Sequence, residues 1–443
     1  MASTLLSRTP GSAGNRKTFT FSAWVKKSDT TSSANVIFCA GESTDDQFNI
    51  FFRDTITLDD ESGNVSNFNL VTNRLFRDIS AWYHIVVAVD TTQATESDRI
   101  KLYINGVQET SFSTSNYPSQ NSDSNVNRTI NTSIGGRGYQ SSQYFNGSMA
   151  HVHFIDGTAY DADTFGSTDS TSGIWKPKTA PSVTYGTNGF FLKFQDSSSL
   201  GDDSSGNTND FTLSGNGRQI LDTPSNVFAT WYADSFDKGN QVSFSNGNTT
   251  TADAGGTTDY DPKAWTTFGA NAGKYYCEMK LTAFATNRSY RAGVWFTEGN
   301  FSHEANANCF SGVKYTTTGD AVTIYSFGSD VQSSLASFSA GDILGVAVDI
   351  DNGTIQYYRN GATYGSQITG LSSNFSGKSM MFCHTGEAGA GRTYTVDANF
   401  GNGYFGTTAV SSAENDDAGY GKFEYDVPAG FYALCTKNIN TYG

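Results

Sequence analysis

Two Asn-Gly turns, each closing a run of β-forming residues, constrain this chain more than any other feature. They end residues 100–106 (IKLYING) and residues 354–361 (TIQYYRNG). Both central residues of a type I′ turn need positive φ, so Asn-Gly after such a run predicts a two-residue β-hairpin. Each run follows an apolar strand-like stretch, at 82–90 and at 341–349. The two halves of the chain therefore predict one all-β plan used twice.

The composition agrees with this all-β plan, and the length of the chain indicates the number of domains. The chain has 443 residues with 46 Gly, only 7 Pro and 14% aromatic residues, a mixture typical of short strands joined by polar turns. We predict an all-β fold of two antiparallel β-sandwich domains in series, each of about 200 to 250 residues. The longest apolar run is far shorter than the roughly 20 residues that cross a bilayer, so we predict no membrane insertion.

The charge of the chain excludes one class of partner. Its formal net charge is −15, and its Lys and Arg residues are scattered. Binding to phosphates needs a basic patch, so we expect no nucleic-acid partner. The start of the sequence has no apolar core preceded by basic residues, so we expect synthesis and folding in a cytoplasm.

The first half resembles a known family. Residues 19–26 (FTFSAWVK), 82–86 (WYHIV), 102–106 (LYING) and 145–150 (FNGSMA), in that order, resemble laminin-G-like domains of the concanavalin A-like sandwich superfamily. The resemblance implies a jelly-roll sandwich over about residues 1–215.

The second half resembles a different sandwich. Residues 273–278 (GKYYCE), 292–296 (AGVWF), 341–361 and 398–401 (ANFG) resemble SPRY domains. The resemblance implies a SPRY-like sandwich over about residues 232–443.

Four further segments indicate the kind of particle in which the protein is found. Residues 152–160, 189–194, 221–230 and 427–436 are similar to segments of structural proteins of tailed bacteriophages. The stretch 216–231, with one Pro and no strong periodicity, is predicted to be a linker. The resemblance implies a virion protein, such as a tail fibre tip, capsid appendage or decoration protein. It also implies a homo-oligomer that binds other virion proteins, a host surface polysaccharide, or both.

Sandwiches of this superfamily include glycosidases, so paired carboxylates matter. Retaining enzymes of this architecture carry an E-x-D-x-(x)-E pattern on one strand, and the chain lacks it. The nearest pairs are Asp349 with Asp351, in a turn context, and Glu424 with Asp426. We predict no catalytic residues and no enzyme. The alternative is a carbohydrate-active enzyme, for example a capsule depolymerase whose site is built from loops of two chains of an oligomer.

Loops that combine aromatic and amide or acidic side chains are the candidate binding sites, because sugars stack on aromatic rings and hydrogen-bond to such groups. The candidates, which are equally compatible with ordinary turns, are Tyr139, Gln140, Gln143, Tyr144, Tyr260, Asp261, Trp265, His303, Glu304 and Glu387.

Calcium is the one metal the sequence suggests. Asp202, Asp203 and Asn207 lie in a short polar loop, and oxygen ligands in flexible loops suit Ca²⁺. We predict no obligatory cofactor and treat these three residues as a possible Ca²⁺ site.

Overall fold

A computed structural model describes residues 4–29, 35–233, 242–253, 263–284, 290–296, 310–315, 322–386 and 394–443. The chain divides into two compact units, Met1–Gln219 and Ile220–Gly443. Each unit is built almost entirely of strands, as the hairpin pattern and composition predict.

The first unit contains sixteen described strands and two 3₁₀ turns, Glu96–Asp98 and Ala162–Thr164. The strands are β1 (Leu5–Arg8), β2 (Thr18–Lys27), β3 (Val36–Gly41), β4 (Gln47–Phe52), β5 (Ile56–Ser62), β6 (Val65–Thr72), β7 (Tyr83–Asp90), β8 (Ile100–Ile104), β9 (Val107–Glu109), β10 (Phe112–Asn116), β11 (Thr132–Ile134), β12 (Gly147–Asp156), β13 (Gly166–Thr168), β14 (Trp175–Pro177), β15 (Phe190–Leu192) and β16 (Thr212–Ser214).

Two sheets of the first unit enclose its core. The larger sheet has eight strands in the order β10-β6-β5-β4-β3-β11-β1-β16, and the smaller has six in the order β15-β12-β2-β7-β8-β9. The ring of Phe38 on the large sheet packs against Phe21 and Phe154 of the small sheet, with centroids 4.9 and 5.8 Å away. Burial of such aromatic side chains between facing sheets is what stabilises a sandwich. The predicted antiparallel sandwich is confirmed for this unit.

The first Asn-Gly turn forms the predicted hairpin. Strand β8 pairs with β9 so that Ile104 faces Val107, which leaves Asn105 and Gly106 as a two-residue loop. Their φ angles are 49° and 84°, the positive values that a type I′ turn needs.

The second unit contains eighteen described strands and two short helices, α1 (Ser372–Phe375) and α2 (Thr436–Tyr442). The strands are β17 (Val242–Ser245), β18 (Thr250–Asp253), β19 (Lys263–Trp265), β20 (Lys274–Phe284), β21 (Tyr290–Phe296), β22 (Phe310–Tyr315), β23 (Val322–Ser326), β24 (Ser329–Leu335), β25 (Ile343–Asp349), β26 (Thr354–Arg359), β27 (Ala362–Ile368), β28 (Met380–Gly386), β29 (Tyr394–Asn399), β30 (Tyr404–Phe405), β31 (Thr408–Ala409), β32 (Glu414–Asn415), β33 (Lys422–Phe423) and β34 (Tyr432–Ala433).

The second unit repeats the two-sheet plan. One sheet has the order β17-β18-β29-β20-β25-β26-β27, with β34 paired to β20, and the other has the order β19-β28-β21-β22-β23-β24. The second Asn-Gly turn again joins two strands, because Arg359 faces Ala362 across β26 and β27. Residues 220–231 belong to this unit, and Ala229 and Trp231 lie in its hydrophobic core.

The helices of the described segments are short. None of them is long and apolar enough to cross a membrane.

Candidate ligand site on the large sheet of the first unit

A single row of mostly polar side chains crosses all eight strands of the large sheet. Cross-strand register pairs each member with the next, from one edge of the sheet to the other. In spatial order the row consists of Asn116, Asn69, Asp59, Asn49, Cys39, Ser133, Ser7 and Thr212.

The row lies on the face of the sheet that points away from the core. Side chains alternate between faces along a strand. The neighbours Phe48 and Ile50 on β4 and Leu58 on β5 belong to the core cluster, so Asn49 and Asp59 project to the other side. We call this side the outer face. A line of amides and a carboxylate there is a hydrogen-bonding surface supported on a rigid sheet.

Tyr139 covers one part of the outer face. Its ring packs against the buried cluster of Val36, Cys39 and Phe51, and its hydroxyl donates a 2.7 Å hydrogen bond to Oε1 of Gln47. Burial is the main reason that the pKa of Tyr139 is raised to about 12, so the hydroxyl stays protonated and can donate.

Asp59, the third member of the row from the β10 edge, is 9% exposed. Burial raises its pKa to about 7, and the positive charge of Arg137 opposes that rise. The side-chain amide of its register partner Asn49 interacts with the Asp59 carboxyl group and also opposes the rise. Oδ1 of Asn69, the neighbouring member of the row, is buried and has no hydrogen-bond partner among the described residues.

Two arginines stand beside this group. The guanidinium carbon of Arg53 lies 4.1 Å from the centre of the Phe51 ring, and that of Arg137 lies 5.3 Å from it. Nε of Arg137 also donates a 3.2 Å hydrogen bond to Oδ1 of Asn49. The outer face thus offers cationic, amide, carboxyl and aromatic groups within one small area.

A carboxylate pair that the sequence analysis missed lies in this area. Asp59 and Glu61 are alternate residues of β5, and their partners on β4, Asn49 and Gln47, are alternate residues as well. Both carboxyl groups therefore project from the same face, and the charge of Glu61 helps to raise the pKa of Asp59. The sequence signal for this pair is the D-x-E spacing within residues 58–61 (LDDE). A search for the three-carboxylate pattern E-x-D-x-(x)-E does not find it.

The remaining predicted residues of this segment have local structural contacts. Gln140 is exposed, and its Oε1 accepts a 3.4 Å hydrogen bond from Ser142. The backbone oxygen of Gln143 accepts from the Val36 amide at 3.1 Å, while its side-chain Oε1 is buried without a partner among the described residues. Tyr144 is half-buried, next to Gly136. Of the four predicted residues, Tyr139 is the one in electrostatic contact with Asp59 and Glu61.

The predicted calcium residues organise a turn. Oδ1 of Asp203 accepts from the amides of Phe191 and Ser205, each at 2.8 Å. Its Oδ2 accepts from the Ser205 hydroxyl and from the Asn209 amide, at 2.7 and 2.9 Å. Oδ1 of Asp202 accepts from the Ser199 hydroxyl.

Asn207 directs its side-chain amide at two backbone carbonyls, those of Gly186 and Gly189. Within the described ranges, no group of three or more His, Cys, Asp or Glu side chains is placed to hold a metal ion. Calcium binding by this loop stays a prediction.

Most of the predicted site residues of the second half lie outside the described residues. Trp265 ends β19 and stacks against Tyr232, with ring centroids 6.5 Å apart. Five residues lie outside the described residues, namely Tyr260, Asp261, His303, Glu304 and Glu387.

Part of the first unit is similar to a known family of domains. Residues 5–163 match the Laminin_G_3 family, which is described as the concanavalin A-like lectin/glucanases superfamily. This region is therefore similar to concanavalin A-like domains, in agreement with the resemblance that the motifs carry. No curated protein matches the chain.

Solved structures similar to the chain include two SPRY domains and a toxin. The SPRY domain of human HERC1 is 15% identical, with 38% of this chain and 96% of that chain covered and a TM-score of 0.29. The TRIM65 PSpry domain is 13% identical, with 39% and 88% covered and a TM-score of 0.30. Stonustoxin is 16% identical with a TM-score of 0.28; 39% of this chain is aligned and spans 27% of that chain.

Proposed function

We propose that this chain is a non-enzymatic binding protein whose first unit recognises a glycan on the outer face of its large sheet. The observation that carries the proposal is the polar row, in which Asn49, Asp59 and Asn69 lie side by side on adjacent strands. Asn69 is half-buried, and Arg137 donates a hydrogen bond to Asn49 beside it. Amide and carboxyl groups beside aromatic rings suit sugar hydroxyls and apolar sugar faces. The lectin- or glucanase-type class of the domain is compatible with this role.

The strand positions favour a built site over an accidental one. Asn49, Asp59 and Asn69 come from three adjacent strands, β4, β5 and β6, and are held in register by the backbone ladder. Polar groups on strands are more rigidly placed than groups on loops, which lowers the entropy lost when a ligand binds. The site therefore fits selective recognition.

The test is direct binding with variants of the row. The purified full-length chain is titrated against a broad panel of neutral and acidic oligosaccharides. N69A should weaken binding by about tenfold through loss of a hydrogen-bonding group. Gln108, which is exposed on β9 of the other sheet, provides the control: Q108A should bind like the parent. Absence of binding to every glycan, or equal binding by N69A, would contradict the proposal.

The setting we propose is a phage particle, on the basis of the sequence resemblance. The chain would be made in the host cytoplasm and would assemble as a homo-oligomer into a fibre tip, capsid appendage or decoration protein. There its sandwiches, the second of them SPRY-like, would contact other virion proteins or a host surface polysaccharide. Saturable binding to intact host cells, competed by purified host polysaccharide, supports adhesion. A lack of cell binding, together with retained binding to virion proteins, would assign the chain to scaffolding.

A second candidate, a glycoside hydrolase, is favoured by one observation. Asp59 and Glu61 share a face of β5, and a carboxyl with its pKa raised to about 7 suits a general acid. The assay is release of new reducing ends from bound polysaccharide by the parent chain, D59N and E61Q. This candidate would be correct if the parent chain shortened the polysaccharide and neither variant did. Binding without shortening supports the non-enzymatic role.

A further inference from the structure

Arg53 and Arg137 form a pair of guanidinium groups without a matching anion. Both approach the ring of Phe51, so the two charges are close to each other. Neither forms an ion pair with a residue of the described segments. Nε of Arg53 is buried, and within the same segments it has no hydrogen-bond partner.

The surroundings compensate this positive charge only in part. The pKa of Arg53 is lowered mainly by burial, and the neighbouring charge of Arg137 contributes to the lowering. The carboxyl group that acts on both arginines is Asp59. Because its pKa is raised to about 7, a large fraction of Asp59 is protonated near neutral pH. An anion that reached Arg53 and Arg137 would therefore gain charge-assisted hydrogen bonds and relieve their repulsion.

We propose that the outer-face site binds a sugar residue that carries a carboxylate, held by Arg53 and Arg137. Asn69, which is half-buried in the same row, then reads hydroxyl groups of the same or the adjacent sugar. The planar guanidinium fork matches the two oxygens of a carboxylate, and the contact of the Arg53 guanidinium with the Phe51 ring holds it in place. This inference rests on the proposed glycan binding and adds the chemical class of the ligand.

The overall charge makes such binding informative. A chain of net charge −15 repels acidic polysaccharides at long range. Retention of an acidic sugar therefore requires a local site and does not follow from general attraction.

The experiment compares matched ligands and matched variants of the full-length chain. The ligands are oligouronates of several linkages, the same oligosaccharides with their carboxylates reduced to alcohols, and sulfated dextran. The variants are R53Q, R137Q, the double variant, and R53K with R137K, each checked for an unchanged melting temperature. K101Q removes one positive charge from an exposed ion pair with Asp98 and is the control.

We expect at least one oligouronate to bind, with tenfold or greater loss of affinity on reduction of its carboxylates. The double Gln variant should lose as much affinity, and the Lys variants should lose less. K101Q should bind with the affinity of the parent chain. The ligand comparison does not depend on any variant folding. Equal binding of the reduced ligand, or of the double Gln variant, would overturn the inference, as would preference for sulfated dextran over every uronate. Binding confined to neutral glycans would overturn the inference and leave the proposed function standing, whereas no glycan binding at all would remove both.

Discussion

Asn105 and His84 are joined by two hydrogen bonds that lock the first hairpin onto the preceding strand. The side-chain Oδ1 of Asn105 accepts from the His84 amide at 2.7 Å, and the Asn105 amide donates to the His84 carbonyl at 2.9 Å. The second unit has the same arrangement between Asn360 and Ile343, with both distances 2.9 Å. In both halves, Asn supplies the positive φ of the turn and also closes the strand ladder.

We expect the substitutions N105A and N360A to destabilise their own units by about 2 kcal/mol each, through lost side-chain hydrogen bonds and strain at positive φ. Denaturant unfolding measures the change. Asn64 has a similar φ of 61°. N64A therefore reports the effect of the strain alone. If N64A lowered the unfolding free energy as much as N105A, the side-chain hydrogen bond from His84 to Asn105 would make no net contribution to stability.

Buried histidines should make the first unit sensitive to acid. Trp175 donates a 3.0 Å hydrogen bond to Nδ1 of His84, so Nε2 carries the proton and donates to Ser22 at 2.9 Å. Burial, with a smaller effect of His151, lowers the pKa of His84 to about 3. Between pH 6.5 and 3 the unfolded chain then binds one more proton at His84, so its contribution is complete above pH 6.5 and decreases on acidification.

The matching measurement is unfolding of the parent and H84Q from pH 7.5 to 4. We expect H84Q to be less stable at pH 7.5, with the gap closing by up to about 1.4 kcal/mol per pH unit below 6.5. The comparison cancels the opposite trend of Asp59, whose raised pKa favours the folded state as pH falls. A gap that does not change with pH would mean that the pKa of His84 is the same in the folded and unfolded states.

Asp416 fastens the C-terminal segment of the second unit. Its Oδ1 accepts from the amides of Tyr420 and Gly421, and its Oδ2 accepts from the Ala433 amide and from Nδ2 of Asn438, all at 2.8 to 2.9 Å. D416N places an amide donor against these donors, so we expect a loss of about 3 kcal/mol in unfolding free energy. The neighbouring Asp417 is exposed and accepts one bond, from Gly430, so D417N should have little effect. Equal effects of the two would contradict this role for Asp416.

Chelation should leave the melting temperature unchanged, because four hydrogen-bond donors already satisfy the carboxylate of Asp203. D203N, by contrast, should lower it through loss of those bonds. Thermal unfolding with and without EDTA tests both. A large drop on chelation that added Ca²⁺ reverses would establish a structural calcium ion.

A fragment ending at Gln219 should fold by itself, because the first unit has its own two-sheet core. Cooperative unfolding and native-like near-ultraviolet circular dichroism would support this. A molten or insoluble fragment would mean that the first unit needs the rest of the chain.

The fold was predictable where the signal is local. Asn105-Gly106 sets its own backbone angles, so the hairpin followed from two residues and their flanking strands. The polar row was not predictable, because it depends on the registers of eight strands, of which β1, β10, β11 and β16 are far from their sheet neighbours in sequence. Asn49, Asp59 and Asn69 become neighbours only after those registers are set.

The site residues show the same limit. Tyr139 was predicted as a sugar-stacking residue from its polar loop, yet one part of its ring packs on Val36 and Phe51. Asp203 was predicted as a possible calcium ligand because it is acidic and in a loop, but the backbone amides around it compete for the same oxygens. Composition indicates that a side chain can bind; which partner is nearest depends on tertiary structure.

The position of Tyr139 has a consequence for the geometry of binding. Along the polar row, Asn116 is exposed and Asn69 half-buried, whereas Asn49, Cys39 and Ser133 are fully buried, with Tyr139 packed against Cys39. The row is therefore open from the β10 edge and closed partway across the sheet. A polymer lying along it would enter with one terminus first. The amount of protein bound would then follow the number of chain ends in a polysaccharide sample rather than its mass.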